Sequence, residues 1–527
     1  MRKDKRTSIE IPADIEEFGV VQAFIGDLLK HASVSQEIVN STSLIFEAVF
    51  NTVLMQQIDR STMLRISAEN RLGSIYLKIG YEGKRFMPSE NDDMLPELRV
   101  LEGYADKISY SYRTGYNIIR ISVRKSQRGY FLLCGSAIPL AIVVYAIVSM
   151  FMGPEEQRVL LDNYVFPFER LFANAMLMVG APVTFFSILK NASDAVVISE
   201  RVLNVAKLHV KSIATSVFAV LLALGLSVVL WVVFSTWRGY DTVYAGAQIK
   251  WEFADAIASM VPADVFEPFR AVSPIPLIVV ALLVTYGLIS AGRDFDVLKV
   301  AIDACYGLFA RMLGAVMAAL PAACFLAILD VLLGGGFVAL AYMLARILFF
   351  IVSTWVLLAT YAIRLKAKGV KIGAFVKKLL PLLRENHAIG SAIDAAPYNV
   401  RYCARYYGMD RAKLSLALPV LAQTNRDGNC FLLMFVATVY IFASGTDVSP
   451  VHVLVIAALV LFLSFGAPNQ PGSILIGTLI IISYLNSYDI ICMAICLEVF
   501  LGSMQNMVNV IGDIVLVAEE QGVRYEK

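Results

Sequence analysis

Apolar residues fall into two patterns along the chain. Over the first 123 residues they come in short alternating or helically spaced groups. SIEIPA reads as a short strand, and Ile15–His31 and Gln36–Gln57 have helical periodicity. MLRISAE, SIYLKIGYEG, KISYSYR and NIIRISV alternate like strands of an antiparallel sheet, with LPELRVLEGYAD as a helix before the last two. The pattern predicts an α/β sandwich domain over residues 1–123. A basic linker, residues 124–129, follows it. From Tyr130 the apolar stretches are long enough to cross a bilayer, which takes about 20 residues. Candidate spans are Tyr130–Met152, Phe166–Leu189, Val205–Phe234, Ile275–Ala291, Leu298–Leu332, Phe337–Arg364, Lys413–Ser444, Val451–Leu485 and Asp489–Ala518. Several exceed one perpendicular crossing and must tilt, break or fold back. Pro321, Pro397, Pro419 and Pro471 mark places for a break.

Composition agrees with a membrane protein. Charged residues make up 17% of the 527, against about 25% in soluble chains. The net charge of +2 gives no reason to expect a nucleic-acid partner. The cysteines lie beyond residue 128 and none has metal-ligand spacing, so they read as buried thiols. No apolar segment follows the basic N-terminus closely enough for a signal peptide. Lys and Arg cluster at 124–128, 190–211, 364–378 and 401–413. Cytoplasmic N- and C-termini put all four clusters inside. Pro154–Asn163 and Thr236–Pro268 are then outer loops.

The informative chemistry is polar and sits in the C-terminal third. Asn425-Arg426-Asp427-Gly428-Asn429 interrupts an apolar span. Asn509 and Asp513 lie one turn apart in the last span, downstream of Glu498. Ionisable groups in a membrane face a cavity, a partner or an ion. Carboxylate and amide oxygens on broken helices suit a hard monovalent cation. The plainer reading is an internal salt-bridge network, Arg426 with Asp427 or Glu498.

Five motifs in order resemble the dicarboxylate/amino acid:cation symporters, which include the glutamate transporter homologues. They are FERLFANAMLMVGAPVTFFSIL, FADAIASMVPADVFEPF, NRDGN, FGAPNQPGS and MVNVIGD. The resemblance covers most of residues 160–521. It implies a polytopic α-helical membrane domain over 130–527, with eight transmembrane helices, two re-entrant hairpins and inverted repeats. It also implies an elevator-type homotrimer in the bacterial cytoplasmic membrane. Gly373–Tyr406 would form the first hairpin and Ser449–Leu485 the second. Sodium would be held by Asn425, Asp427, Asn509 and Asp513, with Thr215 and Ser216 joining one site. A companion tyrosine of that site is Ser212 here. The solute would meet Ser391, Arg426, Gly502, Gln505, Asn506 and Asn509. The family's substrate-binding Asp and Arg read Gly502 and Gln505, so the partners of an acidic amino acid are gone. A neutral or differently charged solute fits better. Arg426 replaces the Met of the family's NMDGT break. Its guanidinium would stand in for one bound cation, pair with Glu498 or hold a solute carboxylate.

Residues 1–123 resemble the ATP-binding domain of the GHKL class, as in anti-sigma-factor kinases. Glu47 and Asn51 match its Glu-x-x-x-Asn box, and Gly83 is what remains of its Asp-x-Gly-x-Gly motif. With the other glycines missing, ATP and magnesium are not expected as cofactors. The leading expectation is a sodium- or proton-coupled symporter, not an enzyme, regulated through a cytoplasmic partner of residues 1–123. The alternatives are a solute sensor relaying through that domain and a membrane-bound kinase.

Overall fold

The computed structural model describes the chain except residues 1–7, 15–16, 32–35, 56–61, 72–73, 84–107, 114, 125–127, 200–202, 235–259, 271, 291–294, 390–391, 444–449, 469–471, 485–490 and 524–527. The chain divides into two compact units, Met1–Gly129 and Tyr130–Lys527.

The first unit opens with β1 (Ser8–Pro12), α1 (Phe18–His31) and α2 (Gln36–Met55). The strands β2 (Met63–Arg71), β3 (Ser74–Glu82), β4 (Ile108–Arg113) and β5 (Tyr116–Arg124) follow. They form one five-stranded sheet in the order β1-β2-β3-β5-β4. Every neighbouring pair is antiparallel. Alternation sets the register: Ile66 faces Ile79 across β2 and β3, and Ile79 faces Ile119 across β3 and β5. These isoleucines bury one face of the sheet with Val21, Ile25, Phe46 and Phe50 of the two helices. A sheet covered on one face leaves polar positions for the other. The helix expected at LPELRVLEGYAD lies outside the described residues.

The second unit is helical. It runs through α3 (Arg128–Phe151), α4 (Pro154–Leu160), a π turn (Leu161–Val165) and α5 (Phe166–Ser199). It continues with α6 (Leu203–Phe234), α7 (Glu267–Arg270), α8 (Pro274–Ile289), α9 (Phe295–Met317) and α10 (Leu320–Ala367). The last part comprises α11 (Ile372–Ile389), α12 (Ala392–Tyr407), α13 (Arg411–Thr424), α14 (Asp427–Ala443), α15 (Pro450–Phe465), α16 (Ser473–Tyr484) and α17 (Ile491–Gln521). Six helical segments among the described residues are long and apolar enough to cross a membrane. Leu132, Met150 and Phe151 of α3 project apolar side chains outward, as in a helix facing lipid. The protein is a polytopic helical membrane protein with a small N-terminal sheet.

Several boundaries differ from the hydrophobic pattern. The single span expected over Leu298–Leu332 breaks at Ala318-Ala319, because Pro321 starts a new helix at its first turn. The second part then runs without a loop into the next span, across a non-helical Gly336 (φ 66°, ψ −160°). Pro154–Asn163, expected as an outer loop, is helical and leads through the π turn directly into α5. Gly153 caps its start, donating its N–H to Glu156 Oε2 at 2.9 Å, a polar beginning that periodicity does not reveal. Pro397 and Pro419 lie inside α12 and α13 and end neither helix.

Two helix pairs flank the broken span. In α11 and α12, buried Asn386 and Asn399 exchange side-chain amide bonds of 2.7 and 3.1 Å. Tyr402 and Tyr407 of α12 donate to the carbonyls of Lys378 and Phe375. In the pair α15 and α16, the end of α15 is held from α5: Asn191 donates to Phe465 O at 2.9 Å.

Candidate functional site

The span expected over Lys413–Ser444 is two helices separated by Asn425-Arg426. Asp410 starts the first by accepting the N–H groups of Ala412 and Lys413. Asn425 ends it in an extended conformation (φ −86°, ψ 105°). Asp427 then occupies the first turn of α14, where the partial positive charge of a helix N-terminus favours a carboxylate.

A break at this depth exposes backbone groups that need partners. They come from α6 and α17. Ser216 of α6 accepts the Arg426 N–H at 3.3 Å and donates to Asp427 Oδ1 at 2.8 Å. Thr215 donates to Asn425 Oδ1 at 3.3 Å. Asn509 of α17 accepts the Gly428 N–H at 2.8 Å and donates to Asn429 Oδ1 at 2.7 Å. Asn425 donates to Asp513 Oδ1 at 3.0 Å and to the Asn509 carbonyl at 3.3 Å. Gly428 permits the crossing, since a Cβ there would strike the Gln505 backbone and stand 3.0 Å from Asn509 Oδ1.

Thr215, Ser216, Asn425, Asp427, Asn509 and Asp513 are therefore brought together. Ser212 sits at the edge of the group, donating to Thr424 Oγ1 at 3.2 Å. Asp427 and Asp513 are fully or nearly fully buried, at 0% and 3% exposure. Tyr361 of α10 also belongs here, donating its hydroxyl to Asp427 Oδ2 at 2.5 Å. Sequence reasoning missed it. A lone tyrosine near the end of an apolar run looks like an aromatic at a membrane interface.

The solute-facing residues are only partly assembled. Gln505 is buried and its side-chain oxygen accepts from Asn509 at 3.3 Å. Gly502 and Asn506 lie on the same helix, half-buried. Ser391 lies outside the described residues. The expected pairing of Arg426 with Asp427 or Glu498 does not form: among the described residues no carboxylate lies within salt-bridge distance of Arg426. Its Nε donates to Gln423 O at 3.2 Å, folding the side chain back over the break. Glu498 is engaged elsewhere, accepting the N–H groups of Gly472 and Leu475 at 2.8 and 2.9 Å. Its Oε1 stands 2.8 Å from where a Cβ on Gly502 would lie. The carboxylate thus fills the space beside Gly502 and caps the start of α16.

In the first unit, Glu47 is exposed and Asn51 half-buried on α2. Gly83 ends β3 with its N–H bonded to Gly115 O at 2.9 Å, and its carbonyl accepts from Asn117 Nδ2 at 3.4 Å. Its backbone groups are spent on the sheet.

A polytopic helical membrane protein with a polar crossing at a broken helix is the class that fold and site define. Residues 137–518 match the sodium:dicarboxylate symporter family, well over half of the chain, and the chain belongs to that family. No curated protein matches the chain well enough to count as a relative.

Proposed function

We propose that the protein is a sodium-coupled symporter of a small organic solute, with the crossing of α13, α14, α6 and α17 as its cation site. The observation that carries this is the pairing of two buried carboxylates, Asp427 and Asp513, with neutral donors only. Charge buried in this way is costly unless a counter-charge arrives. The surrounding hydroxyl and amide oxygens are hard ligands suited to sodium.

The solute would lie against Gln505, Asn506 and the tips of the two helix pairs, Ser391 among them. A carboxylate or neutral amino acid fits better than an acidic amino acid, since residues 502 and 505 carry no charge. The family likeness supports eight spans, two re-entrant hairpins (α11 with α12, α15 with α16) and a trimer with an elevator movement. Residues 1–123 would serve as a regulatory domain on the cytoplasmic side.

Purified protein in liposomes tests the reading. Uptake of a solute, found by a thermal-shift screen of carboxylates and amino acids, should require an inward sodium gradient. Binding without flux would favour a sensor.

A further inference from the structure

Arg426 is the one feature of the crossing that the cation site does not explain. It is 3% exposed. Nε is bonded to a backbone carbonyl, but Nη2 is buried without a hydrogen-bond partner. The residue before it, Asn425, donates to Asp513 Oδ1, and the residue after it, Asp427, is the other buried carboxylate. Arg364, three residues beyond Tyr361, is held by Glu519 through contacts of 2.8 and 2.9 Å and adds no net charge. Among the described residues the buried crossing therefore contains two carboxylates and one guanidinium.

A low-dielectric centre binds mobile ions until its charge is nearly balanced. Asp427 and Asp513 alone would call for two monovalent cations. We infer that Arg426 is a resident cation in this centre, so that the site takes up one sodium ion where the same carboxylates without it would take up two. This rests on the proposed cation site. A guanidinium cannot lose its proton under ordinary conditions, so its charge is permanent and cannot be exchanged with solution. The tethered cation would offset one negative charge of the centre as a whole, and only the remaining charge would depend on sodium.

The number of sodium ions can be counted by binding, separately from transport. The stability of the purified full chain in detergent is measured from thermal melting over a series of sodium concentrations at constant ionic strength. The slope of stability against the logarithm of sodium gives the ions taken up by the folded state. The wild type should give a slope close to one and R426M a slope about one higher, with R426K resembling the wild type. D513N in the wild-type background should lose most of its sodium dependence, which keeps the test available if R426M does not fold. Equal slopes for wild type and R426M, or a wild-type slope of two or zero, would overturn the inference. A protein that passes this test yet carries no solute across liposomes would defeat the symport reading alone.

Discussion

Tyr361 donates a hydrogen bond from its hydroxyl to Asp427 across 2.5 Å, joining the end of α10 to the first turn of α14. Asp427 is thereby gripped from two helices, by Tyr361 on one oxygen and Ser216 on the other. The two bonds fix the orientation of this carboxylate.

Y361F removes that donor and leaves a buried carboxylate oxygen short of a partner. The expected cost is about 1–3 kcal/mol. Melting of the purified protein without sodium should show the loss, and the apparent sodium affinity should weaken in the same preparation. An unchanged melting temperature would mean that the Tyr361 bond contributes nothing.

Gly428 sits where α14 passes close to the backbone of α17. G428A would place a methyl group against the Gln505 backbone, and backbone cannot move aside as a flexible side chain can. The crossing should open, with loss of about 2 kcal/mol or more. Sodium-dependent stabilisation should disappear even at saturating salt.

Glu498 holds the start of α16 through two charge-assisted bonds. E498Q keeps an acceptor oxygen for one of them and loses the other bond and the charge. Amide exchange at Gly472 and Leu475 should accelerate about tenfold, while exchange in the α10 core stays as in the wild type. Equal rates in both proteins would remove Glu498 as the cap.

Tyr81 makes a prediction for the N-terminal sheet. Burial, reinforced by Tyr110, raises its hydroxyl above the usual tyrosine range. A raised folded-state value means its contribution is complete below the unfolded-state value of about 10 and is lost as pH climbs towards the folded one. The first unit should therefore lose stability at alkaline pH, and Y81F should flatten that loss. Near neutral pH, Y81F should be neutral or stabilising by up to about 1 kcal/mol, since the hydroxyl is buried without a partner. Denaturation followed by circular dichroism across the alkaline range checks both.

Much of the fold could be read from the residues because the signals were local. Alternation in SIYLKIGYEG and NIIRISV carried β3 and β5, and the polar NRDGN block located the break at Asn425-Arg426. Asn425, Asp427, Asn509 and Asp513 were legible as a group because charge and amide are rare inside apolar runs. Contacts over long sequence distances were not. Tyr361 lies 66 residues from its partner and carries no signal of it. The use of Glu498 was equally hidden, since its partners are backbone N–H groups that any residue type supplies. Opposite charges in one region pointed to Arg426 with Glu498, but a helix start with unpaired donors took the carboxylate instead.

The join at Gly336 has a mechanical consequence. Its two neighbours in α10, a short helix from Leu320 and a long one to Ala367, meet with no loop to give slack. Such a join is a kink set by backbone angles alone. Any change of angle between the two parts is concentrated at the few backbone bonds around Gly336. The positive φ held there (66°) is one that a side chain would strain. A substitution at 336 that shifts the join would therefore tilt the part of α10 that brings Tyr361 to Asp427.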